Sequence, residues 1–239
     1  MIVSLQFSKY QGLGNDFILI DAAHLDISKE YLKLKASILC DRRFGIGADG
    51  VILVLPSQRA DFAMFVINSD GSVPEMCGNG LRCLAAYCFD NGLTKKLEFT
   101  VETAAGILTA KLTVSKNHVD AVTVNMGNPQ FDADIHDNEQ SLVQKRQISV
   151  AGQELETFAV SMGNPHAVIF NAKNSSNEIF NQIGAALQSH ANFPKGVNVG
   201  LARVIDSSHI DLVVWERGAG LTLACGTGAC AAVVAAVSN

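Results

Sequence analysis

The sequence predicts an α+β protein built from two pseudo-symmetric halves, and three observations carry that prediction. Short runs rich in Val, Ile and Phe, bounded by Gly, Asp, Asn or Pro, outnumber the helical segments. The segment Cys77-Gly78-Asn79-Gly80-Leu81-Arg82-Cys83-Leu84-Ala85-Ala86 returns as Cys225-Gly226-Thr227-Gly228-Ala229-Cys230-Ala231-Ala232, with leading cysteines 148 positions apart (225 − 77). A fainter echo, Gly14-Asn15-Asp16-Phe17 against Gly163-Asn164-Pro165-His166, has nearly the same offset, 149 between the asparagines (164 − 15). Two echoes at nearly one spacing point to a duplicated domain, with halves at residues 1–122 and 123–239.

Taken in order, strands are expected at Ile2–Phe7 and Phe17–Asp21. Ser28 reads as the N-cap of a helix over Lys29–Cys40. Strands follow at Val51–Leu55 and Phe62–Asn68, then a helix over Leu81–Phe89 that stops at the turn Asp90-Asn91-Gly92. Three more strands, Leu97–Glu102, Ile107–Val114 and Val119–Asn125, complete the first series. The polar stretch Asp132–Gln147 is expected to be a surface excursion. A second series of strands is expected at Ile148–Val150, Phe158–Ser161 and Ala167–Phe170. The segment Asn177–Ser189 reads as an amphipathic helix with Ile179, Phe180, Ile183 and Leu187 on one face. Strands Val197–Val204 and Ile210–Trp215 precede a last helix, Ala229–Val237, which is apolar all round and so expected to be buried.

Composition narrows the class of function. The 239 residues, room for one large or two small domains, are 48% hydrophobic and 17% charged, which excludes a disordered or low-complexity chain. Eighteen Lys and Arg against 23 Asp and Glu give a net charge of −5 with no dense basic block, so nucleic acid is not an expected partner. Met1 to Ser8 has neither a basic n-region nor a continuous apolar stretch, so no secretory signal is expected and the compartment is a reducing cytoplasm. Six cysteines are too few for a disulfide scaffold of this length. Gly218–Val237 is uncharged and long enough to span a bilayer. Its glycines, at 218, 220, 226 and 228, and its lack of interfacial aromatics favour a loop feeding a short buried helix, with no membrane partner.

The cysteine loops carry the chemistry. Cys77 and Cys225 fall at or just before a helix N-terminus, where N–H groups and the helix dipole favour an anion. A thiol so placed is expected to have a lowered pKa. The glycines after each cysteine let backbone N–H groups approach a ligand, so each loop can hold a carboxylate with a sulfur beside it. Two such loops facing each other across an interdomain cleft suit the inversion of a stereocentre. A base on one face takes the proton, an acid on the other returns it, and the roles exchange in reverse. The competing readings differ in fit. A free cysteine is usually a small buried hydrophobe, which suits Cys40, Cys83, Cys88 and Cys230 inside apolar helical segments. Glycine-rich neighbours make a poor core for Cys77 and Cys225. A zinc site lacks the usual ligand spacing, since Cys77 and Cys83 are six apart and Cys225 and Cys230 five, so no metal is expected. An oxidised Cys77–Cys225 pair would be an inactive state of the same site.

The motifs form an ordered set. They run Gly12-Leu13-Gly14-Asn15-Asp16-Phe17, Asp41-Arg42-Arg43-Phe44-Gly45-Ile46-Gly47-Ala48-Asp49-Gly50, Asn68-Ser69-Asp70-Gly71-Ser72 and Glu75-Met76-Cys77-Gly78-Asn79-Gly80. They continue as Thr103-Ala104-Ala105-Gly106, Ser161-Met162-Gly163-Asn164-Pro165-His166, Asn198-Val199, Glu216-Arg217-Gly218-Ala219-Gly220 and Ala224-Cys225-Gly226-Thr227-Gly228-Ala229-Cys230. In these the chain resembles the diaminopimelate epimerase family, pyridoxal-phosphate-independent isomerases that interconvert LL- and meso-diaminopimelate. The resemblance implies two pseudo-symmetric domains, each with strands wrapped around a central helix, here Leu81–Phe89 and Ala229–Val237. It implies Cys77 and Cys225 as the two catalytic acid/bases, and Gly78, Asn79, Gly226 and Thr227 as the groups that bind the α-carboxylate. Asn15, Asn68, Asn164, Asn198, Glu216 and Arg217 match substrate-binding positions, largely for the non-reacting L-centre, and His166 and Glu216 match polar groups beside the thiols.

No cofactor is implied. The resemblance also implies a cytoplasmic homodimer acting on a small molecule in lysine and peptidoglycan-precursor biosynthesis. A symmetric diamino diacid offers carboxylates and ammoniums that Asn, Glu and Arg satisfy, and Arg217 suits a bidentate grip. Alone, Glu216 and Arg217 would read as a surface ion pair, His166 as a packed core histidine and the asparagines as turn residues; motif context lifts them. Two departures stand out. Gly50 occupies a position where some members have a substrate-contacting glutamine, and the family continues past the second helix with further strands, which a chain ending at Ser238-Asn239 is expected to lack. The alternatives are a related cofactor-independent racemase of the same fold, for proline, hydroxyproline, histidine or glutamate, or a truncated, inactive ligand-binding form. A near-symmetric thiol pair does not assign either cysteine to either stereoisomer.

Overall fold

A computed structural model of the chain describes residues 5–23, 28–74, 76–137, 141–150, 152–170 and 177–239. The chain divides into two units, Met1–Met126 and Gly127–Asn239. Residue 122 lies inside the last strand of the first.

The first unit runs β1 (Ser8–Gly12), β2 (Asn15–Asp21), α1 (Lys29–Cys40), β3 (Gly50–Leu55), β4 (Phe62–Asn68), α2 (Gly78–Asp90), β5 (Glu98–Thr103), β6 (Gly106–Ser115) and β7 (His118–Asn125). Its seven strands form one sheet in sequence order. The pairs β2–β3 and β4–β5 are parallel, because α1 and α2 carry the chain back between them; the others are antiparallel. Alternate residues of β2 and β3 feed opposite cores. Phe17, Leu19, Ile52 and Val54 meet Leu81, Leu84 and Cys88 of α2, whereas Ile18, Ile20, Val51 and Leu53 meet Leu32, Ala36 and Cys40 of α1. A strand covered on both faces needs an unbroken apolar run, which is what Val51–Val54 is. Helix α2 touches both edge strands, β1 and β7, as well as β2, β3, β4 and β6, so the sheet curls around it. Helix α1 has its expected bounds, and Ser28 caps it by accepting from Tyr31 N–H at 3.1 Å.

The second unit runs β8 (Gln144–Val150), β9 (Gln153–Ser161), β10 (Pro165–Phe170), α3 (Asn177–Gln188), β11 (Asn198–Asp206), β12 (His209–Glu216), β13 (Gly220–Thr222) and α4 (Gly226–Ser238). Its six strands lie in the order β13-β12-β11-β10-β9-β8. Only β10–β11 is parallel, bridged by α3. The order β9-β10-α3-β11-β12 and then α4 repeats β1-β2-α1-β3-β4 and then α2, except that the short β13 precedes α4. Here α3 packs on Ala159, Ala167, Ile169 and Val199, and α4 on the opposite face against Phe158, Val160, Val168 and Ala202.

Several expectations need correction. Of the strand expected at Ile2–Phe7, residues 1–4 lie outside the described residues and Leu5–Phe7 are not strand. The first strand is Ser8–Gly12, in register with β2 through the two-residue turn Leu13-Gly14, whose φ angles of 57° and 83° suit a primed hairpin turn. The polar stretch Asp132–Gln147 is not wholly a surface excursion. Ile135 joins the α3 core, β8 starts at Gln144, and buried His136 has both nitrogens bonded, accepting from Asp132 N–H at 3.0 Å and donating to Leu142 O at 3.2 Å. Ile179 is exposed, although Phe180, Ile183 and Leu187 are buried as expected. Helix α4 is not buried all round: Ala229, Val233 and Val237 form an exposed stripe, while its packed side lies against β9–β12. Among the described residues no helix is long and apolar enough to cross a membrane.

The fit of α3 on the second sheet turns on one glycine. A Cβ on Gly184 would lie 2.5 Å from Cγ of Trp215, the sole tryptophan. Gly184→Ala is therefore expected to destabilise the protein by about 1–3 kcal/mol, read by urea unfolding monitored through Trp215 fluorescence.

Candidate active site

Helices α2 and α4 begin in the same unusual way. Cys77 is the N-cap of α2 and its Sγ accepts from Gly80 N–H at 3.3 Å; Cys225 is the N-cap of α4 and its Sγ accepts from Gly228 N–H at 3.4 Å. A side chain folded back onto the third helical N–H is what an N-cap does, here with sulfur in the place of oxygen. The third helical residue must be small. A Cβ on Gly80 would sit 2.9 Å from Cys77 Sγ and 2.8 Å from Ile52 Cδ1. On Gly228 it would lie 3.3 Å from both Cys225 Cβ and Val214 Cγ2.

The residue before that glycine also does the same job twice. Asn79 donates to Asn15 Oδ1 at 3.3 Å, and Thr227 Oγ1 accepts from Asn164 at 3.4 Å. Asn15 opens β2 just after Gly14, and Asn164 leads into β10 just after Gly163. Those glycines have left-handed φ angles of 83° and 85°. The fainter sequence echo is thus the second wall of each loop.

Around Cys77 the first unit builds a charged scaffold. Asn15 Nδ2 donates to Asp49 Oδ2 at 2.8 Å, Arg42 bridges Asp49 (2.8 Å) and Asp16 (2.7 Å), and Lys9 reaches Asp16 at 2.9 Å. Burial alone would raise the Asp16 carboxyl, but hydrogen bonds from Arg42 and Lys9 outweigh it and hold the group well below the usual carboxylate range. Arg82 donates to Asn79 Oδ1 at 2.7 Å. Asn68 ends β4 with its amide on Ser72 Oγ, and Ser69 N–H donates to Asp49 O, which joins Asn68 to the same scaffold. A Cβ on Gly50 would stand 2.6 Å from Ile67 O, so this backbone admits no side chain there. Sequence reasoning assigned no role to Asp16, Arg42, Asp49 or Arg82. The one available signal was their place inside the quoted motifs.

In the second unit a polar chain runs from the thiol inward. Cys225 Sγ lies 3.4 Å from Thr227 Oγ1, Thr227 accepts from Asn164, and Asn164 Oδ1 accepts from His166 Nε2 at 3.1 Å. Buried Asn198 donates to Pro165 O at 3.0 Å and accepts from Arg217 N–H at 2.9 Å. The Arg217 guanidinium donates to Lys195 O at 2.9 Å, and its Cδ lies where a Cβ on Gly196 would be, 2.9 Å away. Glu216 accepts from Thr222 Oγ1 at 2.6 Å. The expected residues thus fall into two clusters: Cys77, Gly78, Asn79, Asn15 and Asn68 in one unit, the remainder in the other.

Comparison with known proteins places the chain in a family. The family model described as diaminopimelate epimerase matches residues 7–132 and 158–239. This chain belongs to the diaminopimelate epimerase family. A Desulfitobacterium hafniense relative named diaminopimelate epimerase is 46% identical, with 98% of this chain and 84% of the relative covered. One of the same name from Acetivibrio thermocellus is 43% identical over the same shares. Among solved structures, a hydroxyproline epimerase from Agrobacterium vitis with bound trans-4-hydroxy-L-proline superposes with a TM-score of 0.69 at 19% identity, covering 98% of this chain and 77% of that one. A probable proline racemase from Agrobacterium radiobacter with bound carbonate gives 0.69 at 20% identity, covering 98% and 78%. At those identities the likeness is one of fold.

In this diaminopimelate epimerase family member the electrostatics at Cys225 depart from expectation. Burial, and then the charge of Glu216, push Cys225 up to about 11, although bonds from Thr227 and Gly228 N–H pull the other way. The expected lowering at a helix N-terminus is overridden because the thiol has lost its water and faces a carboxylate. Cys225 is therefore a protonated thiol near neutral pH. Burial and the charge of Arg217 push His166 down to about 3, so its imidazole is neutral.

Two measurable consequences arise here. A histidine lowered from 6.5 to about 3 in the fold contributes stability that is present above pH 6.5 and lost as pH falls toward 3. Unfolding titrations should show this as up to about 1.4 kcal/mol per pH unit, and His166→Gln should flatten the slope. Gly80→Ala should cost about 1–3 kcal/mol in urea unfolding and exceed Gly228→Ala, whose added carbon meets looser contacts.

Proposed function

We propose that this chain is a cofactor-independent diaminopimelate epimerase, interconverting the LL and meso isomers by a two-base mechanism with Cys77 and Cys225 on opposite faces of one α-carbon. The observation that carries the proposal is the repeated cap: each unit starts a helix with a cysteine whose thiol is folded onto its own helix N-terminus. Relatives 41–46% identical across nearly the whole chain and named diaminopimelate epimerase support the choice of substrate.

One cysteine, as thiolate, takes the α-proton; an S–H bond forms and the C–H electron pair passes into the carboxylate system. The other cysteine, as thiol, delivers its proton to the opposite face and is left as thiolate. Nothing is added or lost, and the reverse reaction exchanges the roles. The starts of α2 and α4, at Gly78-Asn79 and Gly226-Thr227, receive the carboxylate, where helix N-termini stabilise the charge that develops. A protonated Cys225 suits the donor role at rest.

Asn15, Asn68, Asn164, Asn198, Glu216 and Arg217 hold the second, non-reacting centre, with Asn198 fixing the backbone of Arg217. Neutral His166 and the Glu216 carboxylate are the polar groups serving the thiols. We place the enzyme in the cytoplasm as a homodimer that supplies lysine and peptidoglycan-precursor synthesis.

The test is conversion of LL-diaminopimelate to the meso isomer by the reduced protein, followed by chiral chromatography. Cys77→Ala and Cys225→Ala should each lower the rate by at least about 10²–10⁴-fold while circular dichroism stays unchanged. Full activity in either variant would refute the two-base mechanism, and turnover of proline or hydroxyproline instead would move the same machinery to another substrate.

A further inference from the structure

Thr222 lies on the short strand β13, and its hydroxyl donates to Glu216 Oε1 at 2.6 Å. Sheet register explains the reach. In the β12–β13 pair Glu216 stands opposite Gly220 and Val214 opposite Thr222. Gly220, with φ 78°, carries no side chain, and Thr222, two residues on, reaches Glu216 diagonally on the same face. That face looks toward the start of α4, because Val214, two residues before Glu216, lies where a Cβ on Gly228 would touch it at 3.3 Å. The other face of β12 carries Trp215 against Gly184 of α3. Val214, Glu216 and Thr222 therefore line the floor under the helix that Cys225 caps, and the Glu216 carboxylate acts on that thiol by charge and hydrogen bonding.

We propose that Thr222 is a positioning residue for the epimerase: its hydroxyl pins one oxygen of Glu216 and so keeps the carboxylate turned to the Cys225 thiol. The role rests on the reading of Cys225 as a catalytic acid/base. Valine at 222 keeps the shape and removes the donor, leaving the carboxylate to turn toward water; serine keeps the donor.

The test has two readouts. The first needs no substrate: alkylation of Cys225 by iodoacetamide is followed against pH by peptide mass spectrometry. The wild-type midpoint is expected near 11. Thr222→Val should lower it toward the ordinary 9.0, by about half a unit or more, and Thr222→Ser should leave it in place. Glu216→Gln should lower it too, and adding Thr222→Val to Glu216→Gln should change nothing further, because the effect runs through the carboxylate.

In the second readout, Thr222→Val should lower kcat for LL-diaminopimelate about tenfold with KM little changed, and Thr222→Ser should restore it. An unmoved or raised midpoint in Thr222→Val, or a further drop in the double variant, overturns the inference even if the wild type epimerises. A lowered midpoint in a protein inactive on diaminopimelate supports the Thr222–Glu216–Cys225 linkage and overturns the substrate reading alone. Should Thr222→Val fail to fold, Thr222→Ala takes its place in the same cycle.

Discussion

A sulfur accepting a hydrogen bond from its own helix is the constraint on which both sites depend. Serine, threonine, aspartate and asparagine are the usual N-caps, and a thiol is a weaker acceptor. Using cysteine there imposes conditions on everything nearby. The third helical residue must be small: a Cβ would press hard on Ile52 and the sulfur under α2, and more lightly on Val214 and Cys225 under α4. The helix must lie on a curved sheet that brings a strand-opening asparagine to the second helical residue, as Asn15 meets Asn79 and Asn164 meets Thr227. Left-handed Gly14 and Gly163 deliver those asparagines. The Cys-Gly-x-Gly echo and the Gly-Asn echo are two sides of one construction.

The duplication kept this construction and let the charges around it diverge. Asn68 ends β4, and the corresponding end of β12, 148 positions on (216 − 68), is Glu216. Gly50 opens β3, and Asn198 opens β11 at the same offset (198 − 50). The first unit braces its asparagine with the Arg42–Asp49 pair, the second with a buried neutral histidine. Burial and the Glu216 carboxylate raise the Cys225 thiol, so that it holds its proton at neutral pH.

Legibility in the sequence followed the range of the forces. Helix α1 was readable to the residue because its cap and its apolar period are local. Strands such as β3 were readable because burial on both faces demands an apolar run. Helices α2 and α4 began three residues before their expected starts, since glycine is a poor helix former and only the thiol cap makes those turns helical. Strand β13 has three residues and no period to detect, so Thr222 stayed hidden. The Asp16–Arg42–Asp49 network and the raised Cys225 thiol depend on which sheet face meets which helix. A linear pattern identifies the helix N-terminus and misses the carboxylate beneath it.

The direct test of two thiols acting on opposite faces of one carbon is the early course of the reaction in D₂O. LL-diaminopimelate is incubated with the reduced enzyme, stopped at low conversion, and both isomers are separated and examined by proton NMR and mass spectrometry. Deuterium is expected at the inverted centre of the meso product, while recovered LL substrate keeps its protium, because the base that takes the proton is not the acid that returns one. Deuterium appearing as fast in recovered LL substrate as in product would mean exchange through a single base on one face, and would contradict the assignment of Cys77 and Cys225 as a pair.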